Sequence, residues 1–124
     1  MNNGTAATHS LFVALKHFHP SIKKIYVPNN VFVACWNCAL MEYSSNEIEV
    51  LQTNEETLNM ETSEEYIQSL EKDSAILIVH NLGNVINVPR LKRLRPDIIF
   101  MEDNCEGLFG QYENIYSGSY KDTF

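Results

Sequence analysis

Apolar residues recur along this chain with two rhythms that take turns. Ala7, Leu11, Ala14, Leu15 and Phe18 fall three and four residues apart, the spacing of one helix face. They predict a first helix, opened by the turn Asn3-Gly4-Thr5 and ended by Pro20. Residues 24–27 (Lys-Ile-Tyr-Val) then read as a short strand closed by Pro28-Asn29-Asn30, a turn signal. Residues 31–43 form a predicted second helix whose apolar surface includes Phe32, Cys35, Trp36, Ala39 and Met41. A strand over 48–52 follows, then an acidic polar stretch and a helix over 64–71. Residues 74–80 (Ser-Ala-Ile-Leu-Ile-Val-His) are the clearest strand, continuously apolar and β-branched, as expected of a strand covered on both faces. A loop, a helix over 88–94 stopped by Pro96, and a strand over 98–101 come next. The aromatic, glycine-containing tail after Gly107 predicts a small hairpin or loop.

Helix and strand alternate four times, which implies a parallel sheet with right-handed crossovers. The expected fold class is therefore α/β, a three-layer α/β/α arrangement around a mostly parallel sheet. No repeat, low-complexity tract or internal linker interrupts the 124 residues, so one domain, or part of one, accounts for the chain.

Composition narrows the classes of function. The chain is 44% hydrophobic and 20% charged, an ordinary globular balance. Its net charge of −7 disfavours nucleic acid as a partner, because phosphate backbones are repelled. The basic residues Arg90, Lys92, Arg93 and Arg95 cluster on one predicted helix and its end and read as a solvated face. No apolar run approaches the roughly 20 residues that cross a bilayer, and the N-terminus has no signal-peptide pattern. Three cysteines, an odd number, fit a reducing cytosol better than a secreted disulfide framework.

Three features carry candidate chemistry. Gly4-Thr5-Ala6 opens a helix, where free backbone N–H groups and the positive dipole end suit a phosphate; Thr5 equally suits a helix cap. Phe32 follows the turn after the first strand, where an aromatic ring either stacks on a flat cofactor or fills the core. Asp103 lies at the C-terminal end of the last strand, at the edge where open α/β sheets bind ligands. Its carboxylate there either caps a turn or pairs with a protonated pyridine nitrogen, which keeps such a ring able to accept electrons.

Four segments occur in order: Asn3-Gly4-Thr5-Ala6-Ala7, Val27-Pro28-Asn29-Asn30-Val31-Phe32-Val33-Ala34, Val79-His80-Asn81-Leu82-Gly83 and Glu102-Asp103-Asn104-Cys105-Glu106-Gly107-Leu108-Phe109-Gly110. Together they resemble the consecutive motifs of the DegT/StrS sugar aminotransferases, pyridoxal-phosphate enzymes of the aspartate-aminotransferase fold. The resemblance spans nearly the whole chain. It implies pyridoxal 5′-phosphate as cofactor, with its phosphate on the backbone of Gly4, Thr5 and Ala6. It places Phe32 as the stacking aromatic, Asp103 as the partner of the pyridine nitrogen, and Glu106 near the cofactor ring. The implied reaction is amino transfer, usually from glutamate, to a keto group on a nucleotide-linked sugar, in deoxyamino-sugar and polysaccharide biosynthesis. A cytoplasmic homodimer is the implied setting.

The resemblance also implies an incomplete site. Residues 1–124 correspond to part of the cofactor-binding large domain. The family's N-terminal segment, its small C-terminal domain and its Schiff-base lysine are expected outside them. Lys121 precedes the segment in which that lysine is expected and is a poor substitute. No catalytic residue is therefore assigned within the chain, and no metal ligand. The alternatives are a non-catalytic split or truncated half that needs a partner segment, and a relative that dehydrates sugars, with histidine in place of the lysine.

The remaining reactive residues have plainer readings. Cys35-Trp36-Asn37-Cys38 has redox spacing but apolar neighbours, and is expected in the core. Cys105 is expected to pack, His80 to be a strand-end residue satisfied by backbone, and His17-x-His19 to be a weak metal signal.

Overall fold

The computed structural model describes residues 1–121 and 123. Its centre is β3, Ala75–Val79, every residue of which is buried. The sheet is parallel throughout, in the order β2-β1-β3-β4, with β1 at Ile25–Pro28, β2 at Ile48–Leu51 and β4 at Ile99–Asp103. The described residues hold four α-helices: α1 at Gly4–Phe18, α2 at Val33–Glu42, α3 at Glu64–Ser69 and α4 at Val88–Leu94. The layered parallel α/β fold expected from the alternating pattern is the fold observed.

Two apolar clusters flank the sheet, and the period of two along each strand sorts residues between them. Ile25, Val27, Ala75, Leu77, Val79 and Met101 face Phe12 and Leu15 of α1 and Cys35, Cys38 and Ala39 of α2. Tyr26, Ile76, Ile78 and Phe100 face Ile67 of α3 and Val88 and Leu91 of α4. Covering both faces explains why β3 is an unbroken apolar run. It also fixes the direction of the two acidic residues that end β4. Asp103 continues the row of Met101 toward α1 and α2, and Glu102 continues the row of Phe100 toward the opposite layer.

Local chemistry sets the element ends. Asn3, not Thr5, is the N-cap of α1, its side-chain oxygen accepting the Ala6 N–H at 2.8 Å. Asn87 caps α4 in the same way through Arg90 N–H, with Pro89 in the first turn, where its missing N–H costs nothing. α2 starts at Val33, so Phe32 stands outside the helix as its N-cap. Met41 is exposed rather than part of an apolar face against the sheet, and Trp36 is half-buried, its Nε1–H donating to Pro28 O at 3.0 Å.

The basic cluster is only in part a solvated face: Arg93 is exposed, Arg90 and Lys92 are half-buried, and Arg95 is buried. Arg95 is 8% exposed, and its guanidinium donates to the carbonyls of Ile67, Gln68, Leu70 and Glu71 at the end of α3. It also forms a two-bond pair with Asp97 at 2.7 and 2.9 Å, which raises the arginine further and holds the Asp97 carboxyl below its usual range. Arg90 donates to Thr62 O, Lys92 to Ile98 O, and Arg93 grips Glu113 with two bonds. These cations are spent on joining elements of the chain.

After β4 the chain makes a two-residue hairpin, β5 (Gln111–Tyr112) against β6 (Ile115–Tyr116). Glu113 and Asn114 between them both have positive φ, 54° and 62°, the backbone of a type I′ turn. Among the described residues, no helix is long and apolar enough to cross a membrane.

Candidate functional site

The carboxyl ends of β3 and β4 and the loop leading into α2 open onto a cleft of about 230 Å³. Crevices at strand carboxyl ends are where open α/β sheets bind ligands. Gly4, Thr5 and Thr8 of α1 form one wall, Phe32 and Cys35 another, and Asp103, Cys105 and Glu106 the end of the sheet. Five of the six residues that the sequence singles out, Gly4, Thr5, Phe32, Asp103 and Glu106, thus line one cavity.

Asp103 is the chemical centre of it. The residue is 8% exposed, fixed by pairing in register with Val79 and by the His80 N–H on its backbone carbonyl. Its Oδ2 accepts from Thr8 Oγ1 at 2.9 Å and from Cys35 Sγ at 3.6 Å. Its Oδ1 accepts from its neighbour Cys105 N–H at 3.1 Å, so the carboxylate does cap a turn while facing the cleft. All these donors are neutral. Among the described residues, no arginine, lysine or histidine forms an ion pair with Asp103. A buried carboxylate without a cation is a group that a cationic ligand would complete.

The start of α1 supplies donors. A helix leaves its first N–H groups without internal partners. Asn3 takes up that of Ala6, which does not line the cleft, while Gly4 and Thr5 do line it. A Cβ at Gly4 would lie 2.6 Å from Cys105 Sγ. Glycine therefore lets the first turn of the helix close onto the loop after β4.

Phe32 is 70% exposed, so it is not core; its ring stands at the cleft wall. Glu106 is held by Leu82 N–H, which donates to its Oε2 at 2.7 Å. Cys35 and Cys38 are buried and Cys105 is exposed. Burial and then the Asp103 carboxylate push the Cys35 thiol up to about 12. The hydrogen bond to Asp103, then burial, push Cys105 up to about 11. All three are free thiols, neutral at pH 7 and poor nucleophiles. No group of three or more metal-ligating side chains gathers among the described residues.

The model of the DegT/DnrJ/EryC1/StrS aminotransferase family matches residues 1–124. The chain belongs to that family. Solved structures agree with the fold. An E. coli GDP-4-keto-6-deoxy-D-mannose-3-dehydratase with bound hydrated pyridoxal phosphate aligns with a TM-score of 0.73 at 27% identity, over 94% of this chain and 31% of that one. A variant of the same kind of dehydratase, ColD, with bound GDP-perosamine aligns with a TM-score of 0.72 at 28% identity, over 94% and 31%. The Helicobacter pylori aminotransferase PseC, involved in pseudaminic acid biosynthesis, shares the fold at a TM-score of 0.75 and 21% identity, over 93% and 31%. The chain thus spans about a third of the length of the solved structures it matches. No match was found among curated proteins.

Sequence reasoning passed over two residues that the geometry makes important, Thr8 in the cleft and Glu102 behind it. Thr8 bonds Asp103 directly; it stands three residues after Thr5 and so shares its helix face, a signal present in the sequence. Glu102, beside Asp103, is buried on the other face of β4. Strand alternation was sufficient to place it there. His80, expected to be satisfied by backbone alone, is fully buried and bonds both Ile86 N–H and the Glu102 carboxylate.

Proposed function

We propose that this chain is the cofactor-anchoring part of a pyridoxal-phosphate enzyme that transfers an amino group to the keto group of a nucleotide-linked sugar. The observation that carries this reading is Asp103: a buried carboxylate facing a cleft, given neutral donors and, among the described residues, no cation. The site fits the cofactor by the chemistry of its donors. A protonated pyridine nitrogen is a flat cation that answers Asp103, and a phosphate dianion answers the N–H groups of Gly4 and Thr5 at the positive end of α1. When bound, pyridoxal phosphate supplies an electron sink for bond changes at the substrate carbon.

The chain's own residues have separable tasks. Asp103 holds a proton on the ring nitrogen, and Thr8 and the Cys105 N–H orient that carboxylate. Gly4 and Thr5 bind the phosphate. Ala6 joins them only if its N–H leaves Asn3. The Phe32 ring covers one face of the cofactor, and Glu106 borders it from the loop after β4. The lysine of the covalent link comes from outside residues 1–124. A homodimer in the cytosol completes the reading, with glutamate as amino donor. Exposed Phe32 at the cleft, with exposed Val33 next to it in the chain and exposed Leu108 and Phe109 soon after Glu106, supports an interface there, and three free thiols support a reducing compartment.

A second reading, removal of a hydroxyl from the sugar rather than amination, is favoured by the identities of 27% and 28% to dehydratase structures. Incubating the enzyme that contains this chain with a nucleotide-linked keto sugar and glutamate separates the two. An aminated sugar nucleotide is expected by mass spectrometry. A deoxy product without nitrogen supports dehydration, and an unchanged substrate contradicts both.

A further inference from the structure

Glu102 lies behind the cleft, its side chain 2% exposed. It takes up donors from three places in the chain. His80 Nε2 reaches Oε2 at 3.1 Å, Gly118 N–H donates to the same oxygen at 2.7 Å, and Thr123 Oγ1 lies 2.9 Å from Oε1. His80 Nδ1 accepts the Ile86 N–H at 3.1 Å, so Nδ1 carries no proton and Nε2–H is the donor to Glu102. Burial works to raise the Glu102 carboxyl, but the bonds from His80, Gly118 and Thr123 outweigh it and hold it below its usual value.

Two of these partners, His80 and Gly118, lead to the loops that rim the cleft. His80 begins the turn Asn81–Gly83; Asn81 lines the cleft and Leu82 N–H holds Glu106. Gly118 follows Ser117, whose hydroxyl donates to Gly107 O and whose carbonyl accepts from Asn104 Nδ2. The segment after the hairpin therefore braces residues 104–107, the loop whose Cys105 N–H orients Asp103.

We infer that Glu102 is a positioning residue: it fastens the segment after the hairpin and the turn after β3 to the back of β4, and so shapes the cleft that Asp103 faces from the front. The inference rests on the cofactor reading above. Two adjacent acidic residues divide the work because the strand sends them to opposite faces.

The test combines hydrogen exchange with binding of 4-deoxypyridoxine 5′-phosphate, which keeps the ring nitrogen and phosphate but has no aldehyde to react with lysines. In Glu102→Ala, amides from Gly118 to Lys121 are expected to exchange at least about tenfold faster while β3 stays protected, and the ligand to bind at least about fivefold more weakly. Thr123→Val, which leaves the core intact, is expected to give a smaller change in the same direction. Glu102→Gln should restore both readouts, because its amide oxygen can take the Oε2 position and the Thr123 hydroxyl can turn wholly to Tyr120 O, 2.8 Å away. Unchanged exchange in Glu102→Ala and Thr123→Val, or a released segment with unchanged affinity, overturns the positioning role alone. Failure of the unsubstituted enzyme that contains this chain to bind the ligand overturns the cofactor reading and with it the purpose assigned to Glu102.

Discussion

At the scale of single residues, the site depends on which way a few side chains are sent by the backbone. Asp103 and Glu102 are chemically alike and adjacent, yet one faces a ligand cleft and the other a closed hydrogen-bond cluster. That difference is legible in the sequence, because Phe100 and Met101 begin the same alternation. The partner of Asp103 on α1 is less legible, since Thr8 stands 95 residues away and nothing local announces their meeting. Gly107 shows the same limit. Its role is steric, not conformational: a Cβ there would lie 2.6 Å from His80 Cβ and 2.5 Å from Asn104 Oδ1. His80 is fully buried and has no room to retreat, so Gly107→Ala is expected to cost about 2 kcal/mol in denaturant unfolding. Glu102 also gives the fold an acid-sensitive group. Its folded pKa is depressed from 4.5, so it contributes stability above that value, lost as pH falls through the lower folded value. Melting temperature followed downward from pH 5 should drop less steeply in Glu102→Gln than in the unsubstituted chain.

At the scale of elements, strands and helices were legible from periodicity because each buries a face of its own. Their ends were not, because caps decide them. Asn3 and Thr5 are both good capping residues, and only the geometry assigns the role to Asn3 and leaves Thr5 on the cleft. The basic cluster misled for a related reason: charge density reads as surface, whereas Arg95 closes the C-terminal end of α3 through four carbonyls. Arg95→Ala takes the guanidinium donors from Leu70 O and the Asp97 carboxylate, while Ile67 O keeps the Leu70 N–H and Glu71 O keeps the Ser74 hydroxyl, and a loss of about 3 kcal/mol is expected by chemical denaturation. Arg95→Lys should recover little of it, because an ammonium cannot reproduce the planar fork. The hairpin is tuned in the same local way. Asn114, at φ 62°, suits the turn, and Asn114→Ala is expected to cost about 1 kcal/mol, seen as a lowered melting temperature.

At the scale of the whole molecule, the order β2-β1-β3-β4 brings α1, the turn after β1 and the end of β4 to one side of one sheet edge. The alternating pattern implied a parallel sheet but left that order open, since parallel strands are joined by crossovers whose neighbours no local signal names. Once the order is fixed, five of the six residues singled out in the sequence share a cavity. The central claim is that Asp103 is the anionic partner of a pyridinium ring. Titrating 4-deoxypyridoxine 5′-phosphate into the enzyme that contains this chain and into its Asp103→Asn variant, by calorimetry at pH 7, tests it directly. The account expects saturable binding that weakens at least about tenfold in Asp103→Asn. Equal affinity in the two proteins would contradict it.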